Sequence, residues 1–304
     1  MELQKAKETM KKILITGENS YIGTAVEGWL QKFDNSFVVE TVDMIDGTWR
    51  KKNFSEYDVV YHVAGIAHAD VGKISEDTKA FYYKINTDLA VETAQKSKAE
   101  GVKQFIFMSS MIIYGESGTY GQAKLIKKDT LPSPANFYGD SKWQADQKIQ
   151  KLGDESFKVV IVRPPMIYGK GSKGNYPTLA KMAKKLPIFP NVQNQRSMLH
   201  IDNLCEFIRL MIKNEEAGVF FPQNSEYSQT SQLVQMIASS TGHRIILTKV
   251  LNPFVWVASY IPGKVGGLVN KAFGNLTYDK EMSVYEKGTY QIVSLEESIE
   301  KTEH

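Results

Sequence analysis

Short apolar runs alternate with segments of helical periodicity along the first half of the chain. The runs are rich in Val, Ile, Leu and Phe and predict buried strands, whereas the longer amphipathic segments between them predict helices. Strands are predicted over residues 12–16, 37–42, 58–63, 104–108 and 157–162, and helices over residues 21–33, 76–100 and 136–152. Strands that alternate with helices form a parallel sheet covered on both faces. We therefore predict an α/β fold with a doubly wound parallel sheet.

The pattern changes after Pro164 and Pro165, where glycines and prolines interrupt the chain. Helices are predicted near residues 203–214, 230–241 and 294–301, with short strands near residues 218–221 and 244–248. These elements predict a smaller α/β lobe. We expect a disordered leader over residues 1–10, a first domain over 11–165 and a lobe over 166–304, from which the chain can cross back to the sheet.

The composition indicates a globular protein that stays inside the cell. The 304 residues are 42% hydrophobic and carry a net charge of only +3, which is too small for sequence-independent binding of nucleic acid. The single cysteine, Cys205, excludes a disulfide framework and fits a reducing compartment. There is no secretory signal and no apolar run near the ~18 residues of a spanning helix. We therefore expect a cytoplasmic protein without a membrane span.

The first predicted strand runs into a turn between Gly17 and Gly23, with Ser20 at the middle position, and then into a helix. A pyrophosphate can lie on the free N–H groups at such a helix start, where the helix dipole favours negative charge. The candidate contacts to a dinucleotide are Gly17, Asn19, Ser20, Tyr21, Ile22 and Gly23. A spaced glycine pair also occurs in turns that bind nothing, so its position on the first strand carries the argument.

Asp43 ends the second predicted strand, 20 residues after Gly23. An acidic side chain there can accept hydrogen bonds from the adenosine ribose, which favours NAD. Arg50, Lys51 and Lys52 follow closely and suit a 2′-phosphate instead, and Asp43 can also serve only as a turn cap. Both NAD and NADP therefore remain candidates.

Tyr138 and Lys142 lie four residues apart at the start of a predicted helix, and therefore on one face. A free phenol has a pKa near ~10, but a neighbouring ammonium and an oxidised nicotinamide both stabilise the phenolate. Ser110 follows strand 104–108 at the carboxyl edge of the sheet, where ligands bind. A chance Tyr/Lys pair and polar residues that end a strand are common, so the set of three is needed for a catalytic site.

Several ordered motifs together resemble the extended short-chain dehydrogenase/reductase family, of the NAD-dependent epimerase/dehydratase type. They are the glycine turn, Val63-Ala64-Gly65, Ser109-Ser110 before Ile113-Tyr114-Gly115, Tyr138 with Lys142, and Arg163-Pro164-Pro165. The resemblance covers about residues 11 to 300. It implies a Rossmann domain, a C-terminal substrate lobe and a nucleotide-sugar substrate, which is expected to be UDP-linked.

The resemblance also implies roles for individual residues. Tyr138 would act as base or acid at the sugar hydroxyl, Lys142 would lower its pKa and hold the nicotinamide ribose, and Ser110 would bond the same sugar oxygen. Further cofactor contacts are expected at Ala64, Gly65, Asn86 and Arg163. Substrate contacts are expected at His68, Asn175, Ile188, Phe189 and Arg196, the last on the diphosphate. The purely structural alternatives are a buried amide for Asn86, core packing for Phe189 and a surface ion pair for Arg196.

One difference between this sequence and the family's dehydratases narrows the choice of reaction. The family's 4,6-dehydratases carry Asp-Glu after the catalytic hydroxyl, whereas this chain has Met111 and Ile112. Reduction of a 4-keto sugar and 4-epimerisation with retained NAD remain. The short interval from Asp43 to Asp58 suggests a looser cofactor, which narrowly favours the reductase. A non-catalytic NAD(P) sensor is the alternative of a different class.

Three further expectations concern an aromatic stretch, two helices and two histidines. The aromatic stretch from Pro253 to Ile261 lacks a basic face, so a lid or a subunit contact is favoured over attachment to a membrane. The helices near residues 76–100 and 136–152 are candidates for a homodimer contact, as in the family. His62 and His68 lack a third ligand at a useful spacing, so no metal site is expected.

Overall fold

A computed structural model of the protein describes residues 10–33, 35–67 and 75–304. The described residues form twelve β-strands: β1 (Lys11–Thr16), β2 (Phe37–Val42), β3 (Val59–His62), β4 (Gln104–Met108), β5 (Leu125–Ile126), β6 (Lys158–Val162), β7 (Met166–Tyr168), β8 (Ile188–Pro190), β9 (Met198–His200), β10 (Gly218–Phe220), β11 (Ile246–Thr248) and β12 (Thr277–Tyr278).

The same residues form ten α-helices: α1 (Tyr21–Leu30), α2 (Glu76–Tyr83), α3 (Ala90–Ala99), α4 (Phe137–Gln150), α5 (Asn175–Ala183), α6 (Ile201–Lys213), α7 (Thr230–Ser240), α8 (Asn252–Ser259), α9 (Lys264–Phe273) and α10 (Leu295–Glu303). A π-helical turn over Lys84–Leu89 joins α2 to α3, so the long helix predicted over 76–100 contains an insertion. The predicted homodimer contact would involve α2, α3 and α4, and it stays a prediction.

Six strands form one parallel sheet in the order β10-β6-β4-β3-β1-β2. The chain leaves β1 toward β2 on one side and then crosses to β3 on the other, so the winding direction reverses at β1 and β3. In register, Thr16 lies opposite both Val42 and His62. The segments that follow these three strands therefore leave the sheet together, at the reversal point where open α/β sheets bind ligands.

The sheet is covered on both faces, which confirms the predicted α/β class. Along β1, Ile13 and Ile15 belong to one buried cluster, which includes residues of α1 and α6. Leu14 belongs to the other cluster, which includes residues of α3 and α4. Alternate side chains of a strand point to opposite faces. A strand that is apolar at every position is therefore buried on both sides.

Strand β10 is part of the main sheet and helix α6 packs on it, whereas the sequence pattern grouped both with the smaller lobe. Strand β10 pairs in parallel with β6, and Phe207 of α6 lies in the same buried cluster as Ile13. The chain therefore leaves the sheet after β6 and crosses back before β10. This return is the crossing that the sequence interpretation allowed for but did not locate.

The smaller lobe has its own core. Its strands pair two by two, β7 with β9, β8 with β11 and β5 with β12. Side chains of α5, α7, α9 and α10 meet in one apolar cluster that includes Tyr176, Val234, Phe273 and Ile299. Residues 164–200 therefore leave the sheet to build a second layer beyond its carboxyl edge.

A buried ion pair joins the two parts of the molecule. Arg163, directly after β6, donates from Nε and Nη2 to the carboxylate of Asp146 in α4, at 2.9 Å in both cases. Its Nη1 donates to the Tyr114 hydroxyl at 2.7 Å, and the Ser109 hydroxyl donates to Asp146 at 2.6 Å. The Tyr278 hydroxyl of the lobe donates to the Arg163 carbonyl at 2.9 Å. This cluster connects the ends of β4 and β6 to α4 and to the lobe.

We expect Asp146→Ala to lower the free energy of unfolding by about 3–5 kcal/mol, because it leaves the buried Arg163 charge without its partner. Chemical denaturation measures the loss. The matched control is Glu76→Ala, which removes a solvent-exposed partner of Lys79 and should cost less than about 1 kcal/mol. Equal losses in the two variants would contradict the structural role of the buried pair.

Candidate active site

The turn after β1 brings the first predicted cofactor residues together. Gly17 has a φ of +87°, and a Cβ placed on it would lie 3.0 Å from the Ala64 Cα. Its N–H donates to the Val42 carbonyl at 3.0 Å, which holds the turn against the end of β2. A side chain at position 17 would meet both the unfavourable backbone conformation and the neighbouring chain. Glycine is required here, and the turn lies beside Ala64 as the motif predicted.

The start of α1 offers backbone donors to an anion. Ser20 caps the helix by accepting a hydrogen bond from the Gly23 N–H at 3.1 Å. Asn19 is held at a φ of +61°. Within the described residues, the N–H groups of Asn19, Tyr21 and Ile22 have no acceptor. Three unsatisfied donors at a helix N-terminus fit the pyrophosphate of a dinucleotide.

Asp43 leaves β2 next to this cradle, as the register requires. Its Oδ1 accepts from the Ile45 N–H at 3.0 Å, so one oxygen also caps the turn. Two of the three cations proposed for a 2′-phosphate are engaged elsewhere. Arg50 donates to Glu92 of α3 at 2.6 Å, and Lys52 to Glu40 at 2.9 Å. The local charge arrangement thus favours a ribose hydroxyl over a phosphate at this position.

Tyr138 and Ser110 meet at the carboxyl edge of the sheet. Asn136 caps α4 by accepting from the Gly139 N–H at 3.0 Å, which places Tyr138 in the first turn. Burial raises the pKa of Tyr138 to about 12, although a side-chain hydrogen bond with Ser110 acts in the opposite direction. The phenol is therefore neutral at pH 7 in the protein alone. It needs a positive charge beside it before it can accept a proton.

Lys142 lies one helical turn further along the same face of α4. Its Nζ donates to the Met108 carbonyl at 3.0 Å, and a Cβ added to Gly65 would lie 3.0 Å from that nitrogen. Burial lowers the pKa of Lys142 to about 8, while the Asp146 carboxylate opposes the shift. The ammonium is thus still the main form at pH 7. Glycine at position 65 leaves space for this side chain next to the turn.

Asn86 is fully buried in the π-helical turn and holds the segment after β3. Its amide accepts from the Ile66 N–H at 2.8 Å and donates to the Ile66 carbonyl at 3.1 Å. It also donates to the Ser141 hydroxyl at 3.2 Å. These bonds place Asn86 beside Gly65 and Lys142 as a positioning residue. Its direct contact with a cofactor stays a prediction.

The Arg163 guanidinium is occupied by Asp146 and Tyr114 in the buried cluster described above. The expected contact of Arg163 with a cofactor stays a prediction. The residue that sequence reasoning missed is Asp146. It follows Tyr138 and Lys142 at the same four-residue interval, so its helical spacing was the signal that placed it on their face of α4.

Arg196 carries an uncompensated buried charge. Its Nη1 donates to the Ser117 hydroxyl at 3.0 Å and to the Gly274 carbonyl at 3.1 Å. Burial lowers its pKa to about 10. Among the described residues it forms no ion pair with a carboxylate, so the expected alternative of a surface ion pair does not hold. A guanidinium with only neutral partners suits a phosphate group.

The remaining predicted substrate residues lie in the lobe. Phe189 is buried, with its ring centroid 5.8 Å from that of Phe273 at the end of α9, next to the Gly274 carbonyl that Arg196 contacts. Ile188 is partly exposed, and Asn175 is the first residue of α5. The structure thus brings Phe189 to the same end of α9 as Arg196, and the predicted roles of Asn175 and Ile188 stay predictions.

The remaining candidates are His62, His68 and the two residues that follow Ser110. His68 lies outside the described residues. His62 is buried with its Nδ1 2.9 Å from the Thr16 hydroxyl, and burial lowers its pKa to about 3. Within the described ranges, no three His, Cys, Asp or Glu side chains cluster to hold a metal ion. Met111 is buried beside Ser110, and with Ile112 it supplies no carboxylate for a dehydration.

Comparison with known proteins gives a consistent result. The profile of the NAD dependent epimerase/dehydratase family matches residues 13–221. A UDP-glucose 4-epimerase from Vibrio cholerae is 31% identical over 250 residues, which cover 75% of both chains. A second relative, the N-acetyl-alpha-D-glucosaminyl-diphospho-ditrans,octacis-undecaprenol 4-epimerase of Escherichia coli O157:H7, is 25% identical and covers 95% of this chain and 93% of its own.

Solved structures share the fold. A dTDP-4-dehydrorhamnose reductase from Clostridium acetobutylicum has a TM-score of 0.70 and 19% identity, and the match covers 96% of this chain and 98% of that one. The UDP-glucose 4-epimerase of Thermotoga maritima, solved with UDP-glucose, has a TM-score of 0.70 and 20% identity over 96% and 97% of the two chains. At these identities the likeness concerns the fold alone.

Proposed function

The chain belongs to the NAD dependent epimerase/dehydratase family, and we propose that within it the protein is a C4 epimerase of a diphosphate-linked hexose that keeps NAD bound. The coarser class is a nucleotide-sugar epimerase, dehydratase or reductase that depends on NAD or NADP. The set of Ser110, Tyr138 and Lys142 at the carboxyl edge of the sheet, beside the turn with unsatisfied backbone donors, carries the assignment to C4 hydride chemistry. The names of the two relatives, both 4-epimerases, favour the epimerase within that class.

Ser110, Tyr138 and Lys142 have different proposed roles at the O4 oxygen of the sugar. Bound NAD supplies the acceptor and donor for the hydride of C4. With NAD bound, the Tyr138 phenolate would accept the proton of O4, and the Ser110 hydroxyl would donate a hydrogen bond to the same oxygen. The positive charge of Lys142 would favour the phenolate. Tyr138 would return the proton to O4 when the sugar is reduced on its other face.

The segment after Asp43 does not favour a reductase over an epimerase. It is short, as the sequence shows, and the expectation was that a trimmed segment would hold the cofactor loosely. However, Trp49 is fully buried in the core between the sheet and its helices, and Arg50 is bound to Glu92. The segment is therefore fixed to the Rossmann domain, and its length is no longer an argument for easy exchange. Both relatives compared above are named as 4-epimerases.

A 4-keto sugar reductase is the second candidate. In the part of the chain that the structure describes, β2 is the last strand on its side of the sheet, so no further strand covers the adenosine end. An open edge there favours release of the cofactor in each cycle. The two candidates share every residue of the catalytic set and differ in how long the cofactor stays bound.

The diphosphate is the part of the substrate that both relatives' names have in common. One name contains a UDP-sugar and the other a sugar on undecaprenol diphosphate. Arg196, with its unpaired charge and neutral partners, suits the diphosphate of either carrier. UDP-glucose and UDP-N-acetylglucosamine are the first substrates to test.

We expect the freshly purified protein to release NAD in near-stoichiometric amount when it is denatured, because an epimerase regenerates its cofactor in place. Chromatography of the supernatant measures it. A protein that is empty after purification but binds added NADH or NADPH would contradict the epimerase and support the reductase. A protein that binds neither would contradict the oxidoreductase assignment altogether.

We expect Tyr138→Phe to lower turnover roughly 10²–10⁴-fold, because the variant lacks the group that exchanges the proton of O4. NAD content should be unchanged. Tyr57→Phe, at a tyrosine that precedes β3 at the amino end of the sheet and so lies at the opposite edge from the catalytic set, is the matched control and should keep full activity. Turnover of Tyr138→Phe at the wild-type rate would refute the proposed catalytic role.

A further inference from the structure

The antiparallel pair of α8 and α9, with the connecting residues 260–263, exposes an unusual amount of apolar surface, and we call it the apolar hairpin. Its solvent-facing side chains are between about half and three-quarters exposed: Phe254, Trp256, Val257, Tyr260, Val265 and Leu268. Phe254 is 70% exposed and Leu268 is 67% exposed. Contiguous apolar surface of this kind marks an interaction site on a folded protein.

The hairpin is amphipathic, and its inner face is already used. Val255, Val269 and Phe273 pack into the core of the lobe, and Asn270 donates to the Ser259 carbonyl at 3.0 Å to join the two helices. The outer residues recur at helical spacing on the other side. Within the described residues nothing covers that outer face. The expected roles of the segment as a lid or a subunit contact stay predictions.

The sequence that contains the hairpin carries charges of one sign. No acidic residue occurs between Glu226 and Asp279. The same stretch contains four exposed cations, which are Arg244, Lys249, Lys264 and Lys271. None of them forms an ion pair with another described residue. Apolar and aromatic side chains bordered by unpaired cations match the surface of a bilayer that contains anionic lipid.

The position of the hairpin relative to the site is fixed by its C-terminal end. The Gly274 carbonyl, directly after α9, accepts from Arg196 at 3.1 Å. The Tyr120 N–H donates to the Asn270 side chain at 3.0 Å, which fastens α9 to the loop that also carries Ser117. The C-terminal end of the hairpin therefore contacts the candidate diphosphate site through Arg196.

We propose that the apolar hairpin is a membrane-docking surface, which places its outer side chains in the interfacial region of a bilayer rich in anionic phospholipid. Docking is peripheral, since no helix among the described residues combines the length and apolar character that crossing a bilayer requires. It orients the Arg196 end of α9 toward the lipid surface. The proposal concerns where the protein works and goes beyond the C4 chemistry, on which it does not depend.

Flotation of the intact protein with vesicles tests the proposal. The probes are vesicles of phosphatidylcholine alone and of phosphatidylcholine with phosphatidylglycerol. The wild type should float with the anionic vesicles, less so in high salt, because the cations contribute through a screened attraction. Leu268→Asp should lower the partition coefficient roughly tenfold or more, since it removes the insertion of one large apolar side chain.

Two further variants keep the test independent of folding defects. Val284→Asp changes a side chain of similar exposure, 70% against 67% for Leu268, on another surface and should float like the wild type. Lys264→Glu combined with Lys271→Glu alters only exposed charges. It should weaken binding to anionic vesicles roughly tenfold or more, because each cation near an anionic surface contributes about 1 kcal/mol. Thermal unfolding confirms that each variant is folded.

Three results would overturn the proposal. One is a wild-type protein that stays at the bottom of the gradient with both kinds of vesicle. A second is equal loss of flotation in Val284→Asp and Leu268→Asp. The third is a wild-type dimer that ignores vesicles and that Leu268→Asp converts to a monomer, since the hairpin would then be covered by a second copy of the chain. NAD content and turnover are measured separately, so failure here leaves the proposed function intact.

Discussion

The buried pair of Arg163 and Asp146 is the interaction on which the geometry of the site depends. Its members come from the end of β6 and from α4, and it also binds Ser109 at the end of β4 and Tyr114. A buried charge pair is favourable only when its remaining donors and acceptors are satisfied, which these neighbours do. The cluster therefore fixes the height and rotation of α4 against the sheet, and with them the positions of the two catalytic side chains on that helix.

Burial then sets the protonation of those side chains in opposite directions. It raises the pKa of Tyr138 to about 12 and lowers that of Lys142 to about 8. Each shift opposes the charged form of its group. The Tyr138 phenol is therefore neutral, and the Lys142 ammonium loses its proton more easily than a free lysine does. Positive charge brought by a bound cofactor is what shifts this balance toward phenolate. The substrate side has the complementary arrangement, since Arg196 keeps a charge for which the described residues provide no carboxylate.

Periodicity and motif spacing predicted much of this arrangement. The strands of the main sheet, the turn at Gly17 and the meeting of Ser110 with Tyr138 follow from local patterns, because each depends on residues close together along the chain or on strand ends aligned by a parallel sheet. Other features depend on contacts that a single sequence does not encode locally. The return of α6 and β10 to the sheet depends on packing across nearly two hundred residues, as between Ile13 and Phe207.

Side-chain partners were also beyond the reach of the pattern. Arg163 occurs in a motif beside the cofactor region, yet its partner Asp146 is set by three-dimensional proximity. Similarly, the aromatic stretch that contains Trp256 is apolar in sequence, but only the packing of α8 on α9 shows which of its residues face solvent. Two of the exposed cations, Lys264 and Lys271, lie on α9 itself.

The most direct test of the central claim uses UDP-glucose that carries deuterium at C4. If the protein is a C4 epimerase that uses bound NAD, the 4-epimer is formed with the deuterium still at C4. Turnover is then slower than with the unlabelled sugar, because the C4 hydrogen is removed and returned within one site. Two results would contradict the roles assigned to Ser110, Tyr138 and Lys142. One is loss of the deuterium to solvent, and the other is formation of the epimer without breakage of the C4–H bond.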